Sequence, residues 1–292
     1  MKRLYSLIAI IGVLAIFIVF YNCKGENSDD ENIQEIGEID KSELPLNITV
    51  YLDLSDRLIK NGTETTVDDK TQFTRDTTII SQLEDIFIKD CMSNNKLLQS
   101  KNHFQVVFYP APNTSKIYEL AADLNIDLNS VNPKEKRKLI KDMKQKFSTA
   151  LSSIYQQTIQ DKVWTGSDIW GFFSNKKVDN ICIREGYRNV LVILTDGYLY
   201  HVNNKINEGN SYSYILDQTL QNDESSLLVK RKGLEDLEVL MLEINPSDPK
   251  KLTKMTSVLE TWFNEMGVNH FVVADTDIPQ NIKPVIDSFF NN

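Results

Sequence analysis

The chain has 292 residues, enough for one large domain or two small ones, and its 41% hydrophobic content, with 13 Phe and 11 Tyr, is ample for a packed core. A net charge of −9 and an isoelectric point near 5.0 argue against a nucleic-acid partner, since neutralising phosphates needs a basic surface. The three cysteines, Cys23, Cys91 and Cys182, show neither metal-type spacing nor the paired framework of a small secreted protein.

Residues 4–20 are almost wholly apolar, with Lys2 and Arg3 before them and Glu26, Asp29, Asp30 and Glu31 after. With Tyr21 added, the run just reaches the roughly 20 residues a bilayer span needs, and it also suits a secretory signal peptide. Basic before and acidic after places the amino terminus in the cytoplasm and the rest outside. Cys23 stands where a bacterial lipoprotein signal puts its lipidated cysteine, although Phe20-Tyr21-Asn22 match the small-residue pattern poorly. Residues 1–22 are therefore expected to be a membrane anchor or signal segment, holding the protein at the extracytoplasmic face of the cell envelope. Attachment runs through residues 4–21 or a lipidated Cys23, and a cleaved, released protein is the third possibility. Residues 23–45 are acidic and poor in large apolar groups, which reads as a flexible tether ending at Pro45.

From residue 46 to 292 strands and helices alternate. Asn47–Leu52 is rich in β-branched and aromatic residues, the pattern of a strand buried on both faces. A polar loop with Asn61-Gly62 follows, then a helix over Thr77–Met92 with Ile79, Ile80, Leu83, Ile86 and Phe87 at helical spacing. His103–Pro110 reads as a second strand stopped by proline, and Lys116–Leu120 as a short edge strand. Asn132-Pro133 opens a helix running to about Gln160, and Trp164–Trp170 is a loop feeding a short helix. Arg188–Thr195 is a central strand, and Tyr198–Gly233 a long polar insertion with one helix near Tyr212–Leu220. Leu237–Ile244 and Asn269–Ala274 are strands, with helices over Pro249–Met266 and Pro279–Phe290. Both prolines sit in first turns, where a missing N–H costs nothing. This alternation predicts an α/β domain, an open, doubly wound, mostly parallel sheet covered on both faces. Cys91 and Cys182 are read as buried free thiols inside it, a disulfide between them being the alternative.

Polar residues cluster at the strand ends. The first strand stops at Asp53, Ser55, Asp56 and Arg57, and the central strand stops at Thr195-Asp196-Gly197. In an open α/β sheet, ligands collect beyond the carboxyl ends of the strands. If these two strands are neighbours, Asp53 and Asp196 face one crevice, with Gly166-Ser167-Asp168 as a third loop.

These three loops, in this order, resemble those of the von Willebrand factor A (vWA) family over roughly Leu46–Phe290. The resemblance implies a Rossmann-like vWA domain with a metal-ion-dependent adhesion site. In that family the first loop reads Asp-x-Ser-x-Ser, the second gives a Thr and the third an Asp. Carried over, the metal ligands are Asp53, Ser55, Ser167 and Asp196, holding Mg²⁺ with a position open for an acidic residue of a protein partner. Arg57 stands where the last serine is expected. Two arrangements follow. Its guanidinium lies between Asp53 and Asp196 and replaces the ion's charge with a bidentate pair, or it points to solvent and the reduced ligand set still holds Mg²⁺.

Blander roles compete. Asp53 and Ser55 could merely cap their loop, Thr195-Asp196-Gly197 could be an ordinary turn, and Asp168 is read as a helix N-cap. Thr165 rivals Ser167, and Asp56 is read as solvated. His103 and His270 begin strands and read as structural, while His201 near the crevice has no visible partner. Trp164, Trp170, Phe172 and Phe173 read as packing. Partner specificity is expected in the long connections Ala111–Val163 and Tyr198–Gly233, the latter carrying Tyr198, Tyr200, Tyr212 and Tyr214. The function expected is non-enzymatic protein–protein recognition. The alternatives are a metal-dependent phosphohydrolase using Asp53 as nucleophile with Asp196 on the metal, and a scaffold with a vestigial site.

Overall fold

The computed structural model describes residues 41–60, 63–93, 97–110, 114–161, 167–198, 231–246 and 248–291. The anchor expected over residues 1–22 and all but the last five residues of the tether expected over 23–45 therefore lie outside the described residues, as do Cys23, Thr165, His201 and most of the 198–233 insertion; the end of the tether forms a 3-10 turn at Lys41–Glu43. Among the described residues no helix is long and apolar enough to cross a membrane.

Strand β1 (Leu46–Leu52) is buried at all seven positions, as its near-continuous apolar run predicts. Two small hairpins follow, β2 (Ile59–Lys60) with β3 (Thr63–Glu64) and β4 (Thr66–Val67) with β5 (Lys70–Thr71). Helix α1 (Gln72–Met92) begins five residues before the expected start, capped by the Thr71 hydroxyl accepting from the Thr74 N–H at 3.3 Å. The cause lies in its first turn, where the buried positions are Gln72, Arg75 and Asp76, so the apolar stripe starts only at Ile79.

Strand β6 (His103–Val107) pairs parallel to β1. Residues 116–120, expected to be an edge strand, instead lie in helix α2 (Ser115–Ala122), which buries Ile117 and exposes Tyr118. The edge strand is β7 (Asn125–Asp127), antiparallel to β6. The 111–163 stretch is thus no long loop. It carries α2, β7 and the 29-residue helix α3 (Pro133–Asp161).

The short helix α4 (Ile169–Ser174) is N-capped by Asp168 as expected, and α5 (Lys177–Cys182) follows it. Strand β8 (Arg188–Leu194) leads to the third loop, and β9 (Leu237–Ile244) is buried throughout. A 3-10 turn at Pro249–Lys251 opens α6 (Leu252–Glu265), and β10 (His270–Asp275) and α7 (Pro279–Asn291) complete the chain.

The six-stranded sheet runs β10-β9-β8-β1-β6-β7, parallel except at β7. From β1 the chain builds outward to β6 and β7, then returns to the other side of β1 with β8. That reversal makes the β1–β8 junction a topological switch point, the place beyond the carboxyl ends where open α/β sheets form their ligand crevices. On one face, α1, α3 and α7 cover a core that includes Ile79, Leu83, Phe104, Phe147 and Phe289. The other core packs Tyr51, Phe172, Phe173, Trp262 and Phe263 beneath α4, α5 and α6. Successive β8 residues alternate between the two, Val190, Val192 and Leu194 in the first, Leu191 and Ile193 in the second. Cys91 and Cys182 are buried free thiols in opposite layers, so they do not pair.

Candidate functional site

Leu52 pairs with Leu194, so β1 and β8 end side by side and bring the first and third loops together. The Asp53 N–H donates to the Leu194 carbonyl at 3.1 Å, fixing the loop start, and a 3-10 turn over Asp56–Leu58 carries the chain away. Asp53 is 1% exposed. Its Oδ2 accepts from the Thr195 hydroxyl at 2.8 Å and its Oδ1 from the Ser55 N–H at 2.9 Å. In the third loop, Asp196 accepts from the Tyr198 N–H at 3.3 Å through Oδ1, and its carbonyl accepts from the Asn245 N–H at 3.0 Å. Gly197 sits at φ +95°, and a Cβ there would come within 2.7 Å of Met255 Sδ, so the turn after Asp196 requires glycine.

The second loop joins one step back. Tyr51 hydroxyl donates to the Tyr109 carbonyl at 2.7 Å and lies 2.9 Å from Ser167 Oγ. With the tyrosine proton committed, Ser167 donates to the phenolic oxygen. Burial, opposed by the Ser167 bond and reinforced by Asp53 and Asp168, pushes the Tyr51 hydroxyl well above its usual range, so it stays protonated. Asp168 Oδ1 accepts from the Gly171 N–H at 2.6 Å, the N-cap role.

Arg57 takes neither of its two expected arrangements. It is 7% exposed, so it does not point to solvent, and its bidentate partner is not the Asp53–Asp196 pair. Nη2 and Nη1 grip Asp76 of α1 at 2.7 and 3.4 Å, while Nε donates to the Asp53 main-chain carbonyl at 2.8 Å. Asp76 also accepts from the Tyr155 hydroxyl and from Gln72 Nε2, the latter at 3.1 Å. Gln72 continues to Glu243 at 3.3 Å, which Arg75 grips at 2.7 and 2.8 Å while also donating to the Asp277 carbonyl. Glu243 holds a left-handed φ of +74° inside β9, where the pairing with β10 slips register. A non-glycine residue there is strained and is retained only because its surroundings over-determine it.

Burial lowers the Arg57 pKa, but Asp76, then Asp53, Tyr155 and Asp196, outweigh it and hold the guanidinium charged. Burial raises Asp76 on balance against the pull of Arg57, Tyr155 and Gln72. With one guanidinium, one hydroxyl and one amide all donating to it, the carboxylate form is the one this geometry serves.

Asp76, Tyr155, Gln72, Arg75 and Glu243 were not singled out from the sequence, yet a signal existed. Gln72, Arg75 and Asp76 continue backwards, at helical spacing, the stripe formed by Ile79, Ile80 and Leu83. Charged residues on a buried stripe require partners.

The set Asp53, Ser55, Ser167 and Asp196 does not fit Mg²⁺ well. The serine expected at position 57 is a fixed cation, and the Asp53 oxygens and the Ser167 hydroxyl are tied internally. Among the described residues no group of three or more His, Cys, Asp or Glu side chains is placed to hold a metal.

Fold and crevice together define an open α/β domain with a buried ion network at its switch point. No protein-family model and no curated protein matches the chain. Among solved structures, an aerotolerance-related membrane protein from Bacteroides fragilis, carrying multiple mutations to serine, is similar with a TM-score of 0.37 and 14% identity over 84% of this chain and 98% of that one. SpaC, a pilus adhesin from Lactobacillus rhamnosus GG, gives a TM-score of 0.43 and 13% identity over 84% of this chain and 30% of the adhesin. At these scores neither likeness says what this chain does.

Proposed function

We propose that the domain is a vWA-like recognition module whose crevice, between the ends of β1 and β8, engages a protein partner. The observation that carries this is the junction of the loops at the switch point: Asp53 bonded to Thr195 at 2.8 Å, with Ser167 linked to the same strand through Tyr51. Leu54, Ser55, Asp196, Tyr198 and Trp170 are half-buried around it, a mixed apolar and polar rim suited to protein contact. Crosslinking tests it. A photoreactive residue at Ser55 or Tyr198 should capture a partner that one at Lys101, exposed before β6 at the far end of the sheet, does not, and Asp196→Ala should weaken capture. Equal capture from both ends would refute the assignment.

The enzyme reading finds less support. A phosphohydrolase nucleophile must present a carboxylate oxygen to substrate, whereas both Asp53 oxygens already accept hydrogen bonds and the second acid two residues on is Ser55. Turnover of phosphomonoesters with Mg²⁺ that disappears in Asp53→Asn would establish it instead. A scaffold role with a vestigial crevice predicts no capture at either crevice position.

In this reading the module is carried at the extracytoplasmic face by residues 4–21 or by lipid on Cys23. Membrane fractionation of the full chain and of Cys23→Ser separates the two, since only lipid anchoring is lost with the thiol.

A further inference from the structure

We propose that Arg57 is the resident cation of the crevice, held there by Asp76, and that recognition proceeds without a divalent metal. The second half rests on the reading of the crevice as a recognition site; the first stands on geometry alone. Arg57 reaches the site from the loop that carries Asp53, and its Nε fastens to the Asp53 carbonyl at 2.8 Å. Its other end is fixed by Asp76, which is fully buried and further gripped by Tyr155 of α3 and Gln72 of α1. A side chain fastened at both ends, to its own loop and to a carboxylate of α1 that is itself gripped from α3, does not swing out to admit an ion.

The charge balance points the same way. Burying Asp53 and Asp76 near Asp196 concentrates negative charge at one strand end, and such carboxylates persist only when paired or bound to metal. Arg57 supplies a compensating charge permanently, at a cost in desolvation already met during folding. The network continues through Gln72 to Glu243 and Arg75 and on to the Asp277 carbonyl ahead of α7. The guanidinium therefore also ties the crevice to the ends of β9 and β10, which a water-ligated ion would not do.

The test is metal binding to the purified full chain in detergent, followed by calorimetry and thermal melting with Mg²⁺, Mn²⁺ or EDTA. Wild type should show no binding heat at millimolar metal and the same melting temperature in metal and in EDTA. Arg57→Ser combined with Asp76→Asn, which removes both charges of the pair, should gain Mn²⁺ affinity by at least about 100-fold. That gain should vanish when Asp53→Asn is added. A metal-dependent melting shift in wild type that is lost in Asp53→Asn or Asp196→Asn would overturn the proposal. So would a folded double variant without affinity. Should the double variant not fold, the wild-type melts decide alone. None of these readouts involves a partner, so a failed crosslinking experiment and a failed metal experiment remain distinguishable.

Discussion

Asp76→Asn isolates the interaction on which the crevice depends. The substitution keeps size and shape but removes the charge opposing Arg57, leaving a guanidinium of 7% exposure without a counterion. It also places an amide where Arg57, Tyr155 and Gln72 all donate, so at least one donor loses its acceptor. Removing one partner of a buried pair costs about 3–5 kcal/mol. Against a total stability of about 5–15 kcal/mol, that is a fifth or more. Equilibrium urea unfolding followed by circular dichroism should show it: with a slope of about 3 kcal/mol per molar, the midpoint falls by about 1–1.7 M. Arg57→Met with Asp76→Leu should recover most of the loss, because a buried pair replaced as a unit by apolar groups is often neutral. A midpoint shift below about 0.3 M for Asp76→Asn would refute the reasoning, since the guanidinium would then have another source of compensation.

Two buried groups give the stability opposite pH slopes. Glu84, 3% exposed in α1 beside a cleft of about 480 Å³ that Lys144 also lines, has its carboxyl pushed up to about 8, by burial against the pull of Lys144. The folded state keeps this proton while the unfolded state releases it near 4.5, so stability falls as pH rises from about 4.5 to 8. Glu84→Gln should abolish that slope and stabilise the protein at pH 8 by up to about 3–5 kcal/mol, read from urea midpoints. His103, held between Asn47 and Asn125, is lowered to about 4 by burial and then Arg184. Its stabilisation is complete above about 6.5 and disappears as pH falls to about 4, and His103→Gln should flatten that acid limb. Asp168→Ala removes the α4 cap and should cost about 0.5–2 kcal/mol, with local hydrogen exchange rising at Gly171 before global stability changes. No change at Gly171 would show that the cap does not hold the second loop.

The fold was legible where burial imposes a simple period. Strands β1, β8 and β9 are nearly all apolar and their bounds follow from sequence within a residue, whereas the pairing of β1 with β8, a condition that the sequence alone left open, comes from the structure. Legibility failed where polar residues occupy buried positions. Gln72, Arg75 and Asp76 disguised the first turn of α1 as loop, and with it went the true partner of Arg57. At 116–120 an alternating short run fitted a strand, but Thr114 and Ser115 open a helix whose Ile117 is its buried contact. The odd residue at position 57 was visible in the sequence. Its destination was not, because Asp76 lies 19 positions away on another element.

The way the chain enters this domain has a directional meaning. Lys41 reaches Glu238 at 3.4 Å, Arg188 donates its N–H to the Pro45 carbonyl, and the Arg188 guanidinium holds Glu238 together with the last carbonyls of α7 at Phe289 and Phe290. Entry and exit are thus riveted to the same pole, where the strands begin. Seven residues of β1, at about 3.3 Å each, carry the backbone roughly 23 Å from that pole to Asp53. The residue at which the chain enters the domain and the loops that end β1 and β8 thus lie at opposite poles of the sheet.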